Sequence, residues 1–554
     1  MVSSGKTFEQ ISTRILDSLV KTFPVACASD EFYFFPHMAG TEATRGSWDD
    51  FSAESVKGII HKISDSISEL NQLASPGNNK VDPIRDLEPR QAGLNYITFS
   101  DDNKDILAEK NMLVLFLNNL RDQLGELELW RKQPSFYLTL MNAGLAQALN
   151  YDDSRWLQHR LREIPAFLEQ TVQNIREAPY HWLEIGLSMI DDCKHFLDLI
   201  SLENRDTELS LRAIENFETK IKGLAKGTEL KIEPDCLERI YSNHMATGLK
   251  TSGISKILED ETSEMMAVMI IESEQILKKP VRHPLKPEVL IRNVYDKIGF
   301  KSGLQEDPVK IYRSEADRIR MHLIDRGILG DDHESCIPVI VEEMPSYFRA
   351  IRSASSYSIY PRYPPASGTF YVLTASCYGV PSENLNEYKM LTAHETYPGH
   401  HLLDSSRLSL KSIVRRSLEF PLFYEGWACF AEMLLSFTGY FTDPADRFIL
   451  AKRRYWRAVR GQIDIGLQTK ELDLESAANI LREAGIPYQR AMASSKIYTL
   501  NPGYQICYTV GIRRFLDLYK KYGEADLKNF AKTALSNGEI LFTDLEKVLK
   551  DIHG

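Results

Sequence analysis

The sequence predicts a large, mainly α-helical protein with a small β-sheet. Three observations carry that prediction: apolar residues recur at three-and-four spacing along most of the 554 residues, strand signals are confined to two short runs, and the composition is globular, 43% hydrophobic and 26% charged. A chain of this length can bury a core without a disulfide or metal staple.

The elements follow in order. Val56, Ile59, Ile60, Ile63, Ile67 and Leu70 fall on one helical face. Ile106, Leu107, Met112, Leu115, Leu117 and Leu120 mark a second long helix. Similar periodicity predicts helices over 159–176, 180–201, 207–224, 255–278, 307–327, 421–438, 444–468, 473–484, 505–521 and 525–536. The β-branched run Cys336 to Glu342 and the run Gly368 to Thr374 read as strands. Between them Tyr357 to Gly368, with Pro361, Pro364 and Pro365, reads as an extended loop. The basic, proline-containing stretch from Lys278 to Pro287 is the best internal boundary. It separates a helical N-terminal half, 1–280, from a catalytic half, 281–554, as two parts of one continuous unit facing each other across a cleft.

A net charge of −11 argues against a nucleic-acid partner, which selects for a basic face. Seven cysteines spread from Cys27 to Cys507 without a CxxC pair read as reduced thiols of a cytoplasmic protein. The first ten residues lack the apolar segment of a secretory signal, and no run approaches the ~18–20 apolar residues of a membrane helix, so neither a leader nor a membrane anchor is expected.

The densest chemical cluster is His394-Glu395-Thr396-Tyr397-Pro398-Gly399-His400-His401, which holds three of the 13 histidines. A helical His-Glu-x-x-His sets two imidazoles one turn apart, with the glutamate placed to activate a metal-bound water. The spacing here is longer. On a straight helix His400 would sit about 120° round and about 9 Å along from His394, and His401 about 10.5 Å along. Neither could share an ion with His394 at the ~2.0–2.1 Å of a Zn–N bond. Pro398 cannot bond the carbonyl of residue 394 and clashes with it, and Gly399 takes conformations closed to other residues. The helix must therefore end, bulge or kink at 397–399, which brings His400 or His401 back toward His394.

A third ligand is expected from Phe423-Tyr-Glu425-Gly-Trp-Ala-Cys-Phe-Ala-Glu432. Glu425, Cys429 and Glu432 share one face of a helix that is otherwise apolar. A carboxylate there is costly unless paired or metal-bound. Glu425 is the candidate ligand, and Glu432 the candidate to orient a histidine from behind.

These residues resemble the bacterial domain-of-unknown-function family 885, whose His-Glu-x-x-Pro-Gly-His-His and Glu-Gly-Trp-Ala segments stand here at 394–401 and 425–428. That family is regarded as related to the gluzincin metallopeptidases, among them the helical neurolysin and angiotensin-converting-enzyme groups. The second segment is similar to the Asn-Glu-Gly-Phe-Ala ligand segment of zinc aminopeptidases. The resemblance implies a large helical zincin-like fold with a small sheet beside the active-site helix, one zinc ion per chain on His394, His400 and Glu425, and Glu395 as general base. The 24 residues between His400 and Glu425, similar to the neurolysin-group gap, favour His400 over His401. A further family pattern appears as Tyr498-Thr-Leu-Asn-Pro502-Gly503-Tyr504-Gln-Ile-Cys-Tyr508-Thr-Val-Gly511. Ile497 replaces a family arginine, Tyr504 a glutamine, and Gln468 a histidine.

The expected chemistry is metal-assisted hydrolysis of short peptides. Tyr508 is the first choice to stabilise the oxyanion, with Tyr498 and Tyr504 as alternatives. Arg453, Arg457 and Arg460 share a helix face and can dock a peptide carboxylate, although a solvated face paired to Asp443, Asp446 or Asp464 is the preferred reading. Gly368–Thr374 is a candidate edge strand for an extended substrate. Two other readings are a helical binding or scaffold protein with a structural metal site, and a metallohydrolase of a non-peptide amide.

Overall fold

The computed structural model describes residues 7–73, 102–151, 153–200, 205–227, 232–281, 286–299, 307–330, 337–350, 352, 354–363, 365–374 and 385–553. Helices dominate, as the periodicity requires. Those predicted over 421–438 and 444–468 are Pro421–Phe437 and Pro444–Gln468, and both start where proline costs nothing, at a first turn whose amide has no partner. Asp443 caps the second by accepting from the Ala445 amide at 2.8 Å.

One helix carries no clear stripe in the sequence. Pro134–Leu149 is buried nearly all round, so no polar face marks its period. Phe8–Thr22 is set by a capping box in which Thr7 and Gln10 exchange side-chain and backbone hydrogen bonds.

The core runs without interruption from Ile11 to Leu549. Two helix pairs build the frame around the candidate site. Thr251–Leu277 lies along Pro444–Gln468, fastened by Arg454–Glu261 and Arg447–Glu272 ion pairs of 2.7 and 2.8 Å. Pro421–Phe437 crosses Ile506–Tyr522 at a glycine contact. A Cβ on Gly426 would lie 2.7 Å from the Gly511 Cα, and one on Gly511 would lie 2.6 Å from the Gly426 Cα. Two backbones this close leave no room for a side chain on either.

The sheet has three strands in the order Val339–Glu343, Gly368–Val372, Ser356–Ser358. The first pair is parallel and the second antiparallel. Gly368–Val372 is thus the central strand and offers no free edge, which corrects its reading as a docking edge. The third strand, Ser356–Ser358, falls within the stretch read as loop: three residues are too few for an alternation to declare itself. Cys336, the start of the first predicted strand, lies outside the described residues. Val341, Phe370 and Val372 pack with Tyr312 of the helix Pro308–Asp325 and with Leu391 of Tyr388–Glu395, so the sheet rests against the helix that carries His394. A second, two-stranded parallel pair, Glu177–Pro179 with Ala225–Gly227, was not foreseen.

Gly511→Ala should destabilise the fold by about 3 kcal/mol, because neither backbone can retreat. Gly58→Ala, in the exposed helix Ala53–Gln72 with nothing within 4 Å of the new Cβ, should instead stabilise it by roughly 0.5–1 kcal/mol. Urea unfolding of the two variants checks the contrast.

Candidate metal centre

The first helix ends at Glu395 and the next, His400–Leu408, begins at His400, which is where Pro398 forces the break. The Tyr397–Pro398 peptide is cis. Gly399 has φ −76° and ψ −134°. Space requires glycine here: a Cβ on Gly399 would overlap the carbonyl oxygens of Ala393 and His394 and lie 2.6 Å from the His394 carbonyl carbon. The Gly399 amide donates to the Ala393 carbonyl at 3.0 Å. The chain folds back on the helix end it has just left.

That reversal brings the His394 and His400 rings to a centroid distance of 4.7 Å, at 83° to one another. Glu425 meets them from the neighbouring helix. Its Oε2 lies 3.5 Å from His394 Nε2 and 3.6 Å from His400 Nε2. One ligand atom from each of the three lies within 4.8 Å of the others, and all three residues are buried. Burial alone would raise the Glu425 pKa, but hydrogen bonding to His394 and His400 outweighs it and holds the carboxyl well below the usual range. Burial likewise works against a charged His394, yet bonds to Cys429, Glu425 and Glu432 raise its pKa well above the ordinary value.

The Glu-Gly-Trp-Ala segment now has a physical reading residue by residue. Glu425 faces the imidazoles. Gly426 permits the crossing with Gly511. The Trp427 indole donates to the Pro398 carbonyl at 2.8 Å, tying the glutamate's helix to the break.

Behind His394, Glu432 is wholly buried, its Oε1 3.1 Å from His394 Nδ1. A carboxylate only accepts, so Nδ1 donates to Glu432 while Nε2 faces Glu425; Arg457 Nη2 also lies 3.2 Å from Nδ1. Arg457 donates to Glu432 at 2.7 and 3.2 Å, and Arg453 donates at 3.2 and 3.3 Å. Against burial, these guanidinium groups hold Glu432 well below the usual range. Arg453 continues to Glu387 at 3.0 Å. The arginine face is therefore neither solvated nor a dock for substrate: Arg453 and Arg457 are interior struts. Arg460 donates instead to Gln505 at 2.9 Å and stacks on Tyr508 at 4.5 Å. The three aspartates expected as partners are used elsewhere. Asp443 caps its helix, Asp446 pairs with Lys389, and Asp464 accepts from the Gly503 and Gln505 amides.

His401 turns away from the centre. Its Nε2 meets the Ile337 carbonyl at 2.6 Å and its Nδ1 the Tyr357 hydroxyl at 3.1 Å. The carbonyl needs a donor, so Nε2 holds the proton and Nδ1 accepts; both nitrogens are occupied. Tyr357 also donates its amide to Glu395 Oε2 at 2.9 Å, so the short strand fixes the glutamate beside the first histidine.

Of the three tyrosines, Tyr504 donates to Glu425 Oε1 at 2.7 Å. Tyr508 packs 6.0 Å from Tyr504, and burial, with the Glu425 charge nearby, raises the pKa of its hydroxyl. Tyr498 is buried against Arg460, its ring 5.5 Å from the guanidinium. Sequence reasoning missed Tyr424, whose ring stacks on His400 at 4.0 Å and whose hydroxyl donates to Asp404 at 3.2 Å. It stands next to Glu425, but nothing in its spacing sets it apart from 24 other tyrosines.

A mainly helical chain with a His-Glu helix, a Pro-Gly reversal and a third acid on a crossing helix is thereby defined. The chain belongs to the family described as "Bacterial protein of unknown function (DUF885)", whose model matches residues 37–549. A solved structure of a "putative lipoprotein of unknown function" from Shewanella oneidensis is similar to it with a TM-score of 0.74 and 17% identity, covering 98% of this chain and 100% of that one. A "putative lipoprotein" from Colwellia psychrerythraea gives 0.67 and 15%, covering 98% of each. At these identities the likeness is one of fold. No curated protein matches. Both solved structures carry the name "putative lipoprotein", which contradicts the cytoplasmic location expected above. The expectation leaned on cysteine usage, but the five described cysteines are all free and buried, and a buried thiol packs as a small apolar group in any compartment. Among the described residues no helix is long and apolar enough to cross a membrane.

The strut behind the centre has a pH signature. Burial alone would raise the Glu387 pKa, but Lys452 and Arg453 outweigh it and hold it at about 2. Its stabilising effect is therefore full above the unfolded value and lost as pH falls from about 4.5 toward about 2. Glu387→Gln should cost about 3 kcal/mol at pH 7, leaving Lys452 without its carboxylate and Arg453 with Glu432 alone, and the gap to wild type should narrow below pH 4.5. Melting temperatures of both proteins between pH 7 and pH 3 measure it.

Proposed function

We propose that the protein is a zinc-dependent metallopeptidase of gluzincin type that hydrolyses short peptides. The observation that carries this reading is the convergence of His394, His400 and Glu425, from three separate segments, within 4.8 Å. The donor set fits zinc: two imidazole nitrogens and one carboxylate oxygen, with His394 oriented by a carboxylate on its far nitrogen. Three protein ligands rather than four favour a catalytic over a structural site.

A zinc ion held there supplies Lewis acidity toward the scissile carbonyl and a water of lowered pKa. Glu395 is the general base. Its Oε2 is engaged by the Tyr357 amide, so Oε1 takes the water proton and returns it to the leaving amine nitrogen. The hydroxyl of Tyr508 donates to the oxyanion of the tetrahedral intermediate. Tyr504 keeps Glu425 in place by donating to its Oε1. His401 holds the Tyr357 strand, and with it Glu395, at a fixed distance from the histidines.

The test pairs metal content with hydrolysis of a mixed peptide pool followed by mass spectrometry. Wild type should hold about one zinc per chain and cleave peptides. Glu395→Gln should keep the zinc and lose at least about 100-fold in kcat. Tyr508→Phe should lose roughly 100- to 1,000-fold in kcat. His400→Ala should lose zinc, and His401→Ala should retain it. Full zinc loading in His400→Ala, or a zinc-loaded wild type that cleaves no peptide, would sink the proposal.

A further inference from the structure

A cavity of about 400 Å³ opens between the segment 37–45, the turn at Asn150 and Tyr151, the segment 360–363, and the end of the helix Ile413–Ser417. It contains none of His394, Glu395, His400 or Glu425. It is nevertheless attached to them. His37 lines it, and the His37 Nδ1 accepts from Arg407, which pairs with Asp404, which accepts from Tyr424, the ring stacked on His400.

Its lining is one-sided in charge. Arg45, Arg362 and Arg416 face it, and none of the described lining residues is acidic. Arg45 carries a buried Nε with no hydrogen-bond partner. The Ser417 hydroxyl, on a residue only 1% exposed, also has none. Arg416 uses Nη1 on the Leu410 and Lys411 carbonyls, which leaves its charge without a carboxylate. Burial lowers the pKa of its guanidinium, as it does for a cation that lacks an anion. Three aromatic rings accompany these cations. Arg45 lies 5.3 Å from the Tyr151 ring, Arg416 4.5 Å from the Tyr363 ring, and Tyr151 packs edge-on to Tyr360 at 6.3 Å. Arg160, wholly buried and outside the lining, lies 5.9 Å from the Tyr151 ring.

Like charges gathered around a half-enclosed space are costly unless an anion joins them. Guanidinium forks match phosphate and carboxylate oxygens, and aromatic walls cover a planar body. The volume is that of a small-molecule site. We propose that this cavity binds a small organic anion, its phosphate or carboxylate held by Arg45, Arg362 and Arg416 with the Ser417 hydroxyl, and its body held against Tyr151, Tyr360 and Tyr363. The site is distinct from the metal centre and does not depend on the peptidase reading.

The full-length chain is titrated calorimetrically with phenyl phosphate, benzoate and inorganic phosphate, as purified and after dialysis against EDTA. Saturable binding of phenyl phosphate or benzoate is expected in both preparations; which of the two binds tighter identifies the anionic group. Arg45→Gln/Arg362→Gln should weaken it by about tenfold, and Arg362→Gln alone, at an exposed position, by about threefold. Arg490→Gln, an exposed arginine outside the cavity, should leave it unchanged. No binding of either aromatic anion overturns the proposal, as does equal binding by folded Arg362→Gln. Loss of binding with EDTA moves the anion to the metal centre and overturns it too. Inorganic phosphate binding as tightly as phenyl phosphate overturns the part assigned to the tyrosines.

Discussion

The centre depends on one close approach of backbone to backbone. The carbonyls that end the helix at Ala393 and His394 press against the Cα of Gly399, and the Gly399 amide bonds one of them. Only with that contact do residues six apart in sequence present their rings 4.7 Å apart. A straight helix would separate them by about 9 Å. The indole of Trp427 grips the same reversal through the Pro398 carbonyl, so the loop that aligns the histidines is bonded to the helix that carries the third acid. Position of the loop and position of Glu425 are thus one constraint.

Around this reversal the interior is unusually ionic. Glu425 and Glu432 are buried on a helix whose other faces are packed with Phe423, Trp427 and Phe430. Burying a carboxylate among such residues is expensive unless each oxygen is answered. Glu432 is answered by two guanidiniums and an imidazole N–H, and Glu425 by two imidazoles and the Tyr504 hydroxyl. The helix Pro444–Gln468 therefore acts as the electrostatic frame of the centre, its arginines aimed inward.

Much of this was legible in the sequence. The His-Glu pair, the proline that must break the helix and the acid on an apolar face are local statements, and local chemistry forces them. Glu432 was legible for the same reason: a charge seven residues from another on an apolar stripe has to meet something. What eluded the sequence is what depends on distant packing. Nothing local tells whether Arg453 points to water or to Glu432, because a charged stripe reads alike on a surface and on a buried frame. His401 and His400 are neighbours of the same type, and only the Ile337 carbonyl and the Tyr357 hydroxyl, some 44 to 64 residues away, occupy one and leave the other. The helix Pro134–Leu149 was missed because uniform burial erases periodicity, and the strand Ser356–Ser358 because it is too short to show any.

The same asymmetry supports the proposal of a divalent cation at the centre. The carboxylate behind the imidazoles is met by arginines, so it is neutralised within the protein. In front of them Glu425 has only imidazoles as ion-pair partners, and Glu395 is engaged by a backbone amide rather than a cation. The Nε2 atoms of both imidazoles face the same Glu425 oxygen. A site that compensates its rear charge with fixed cations but leaves its front charge to soft and anionic donors is arranged for a cation that arrives from solution.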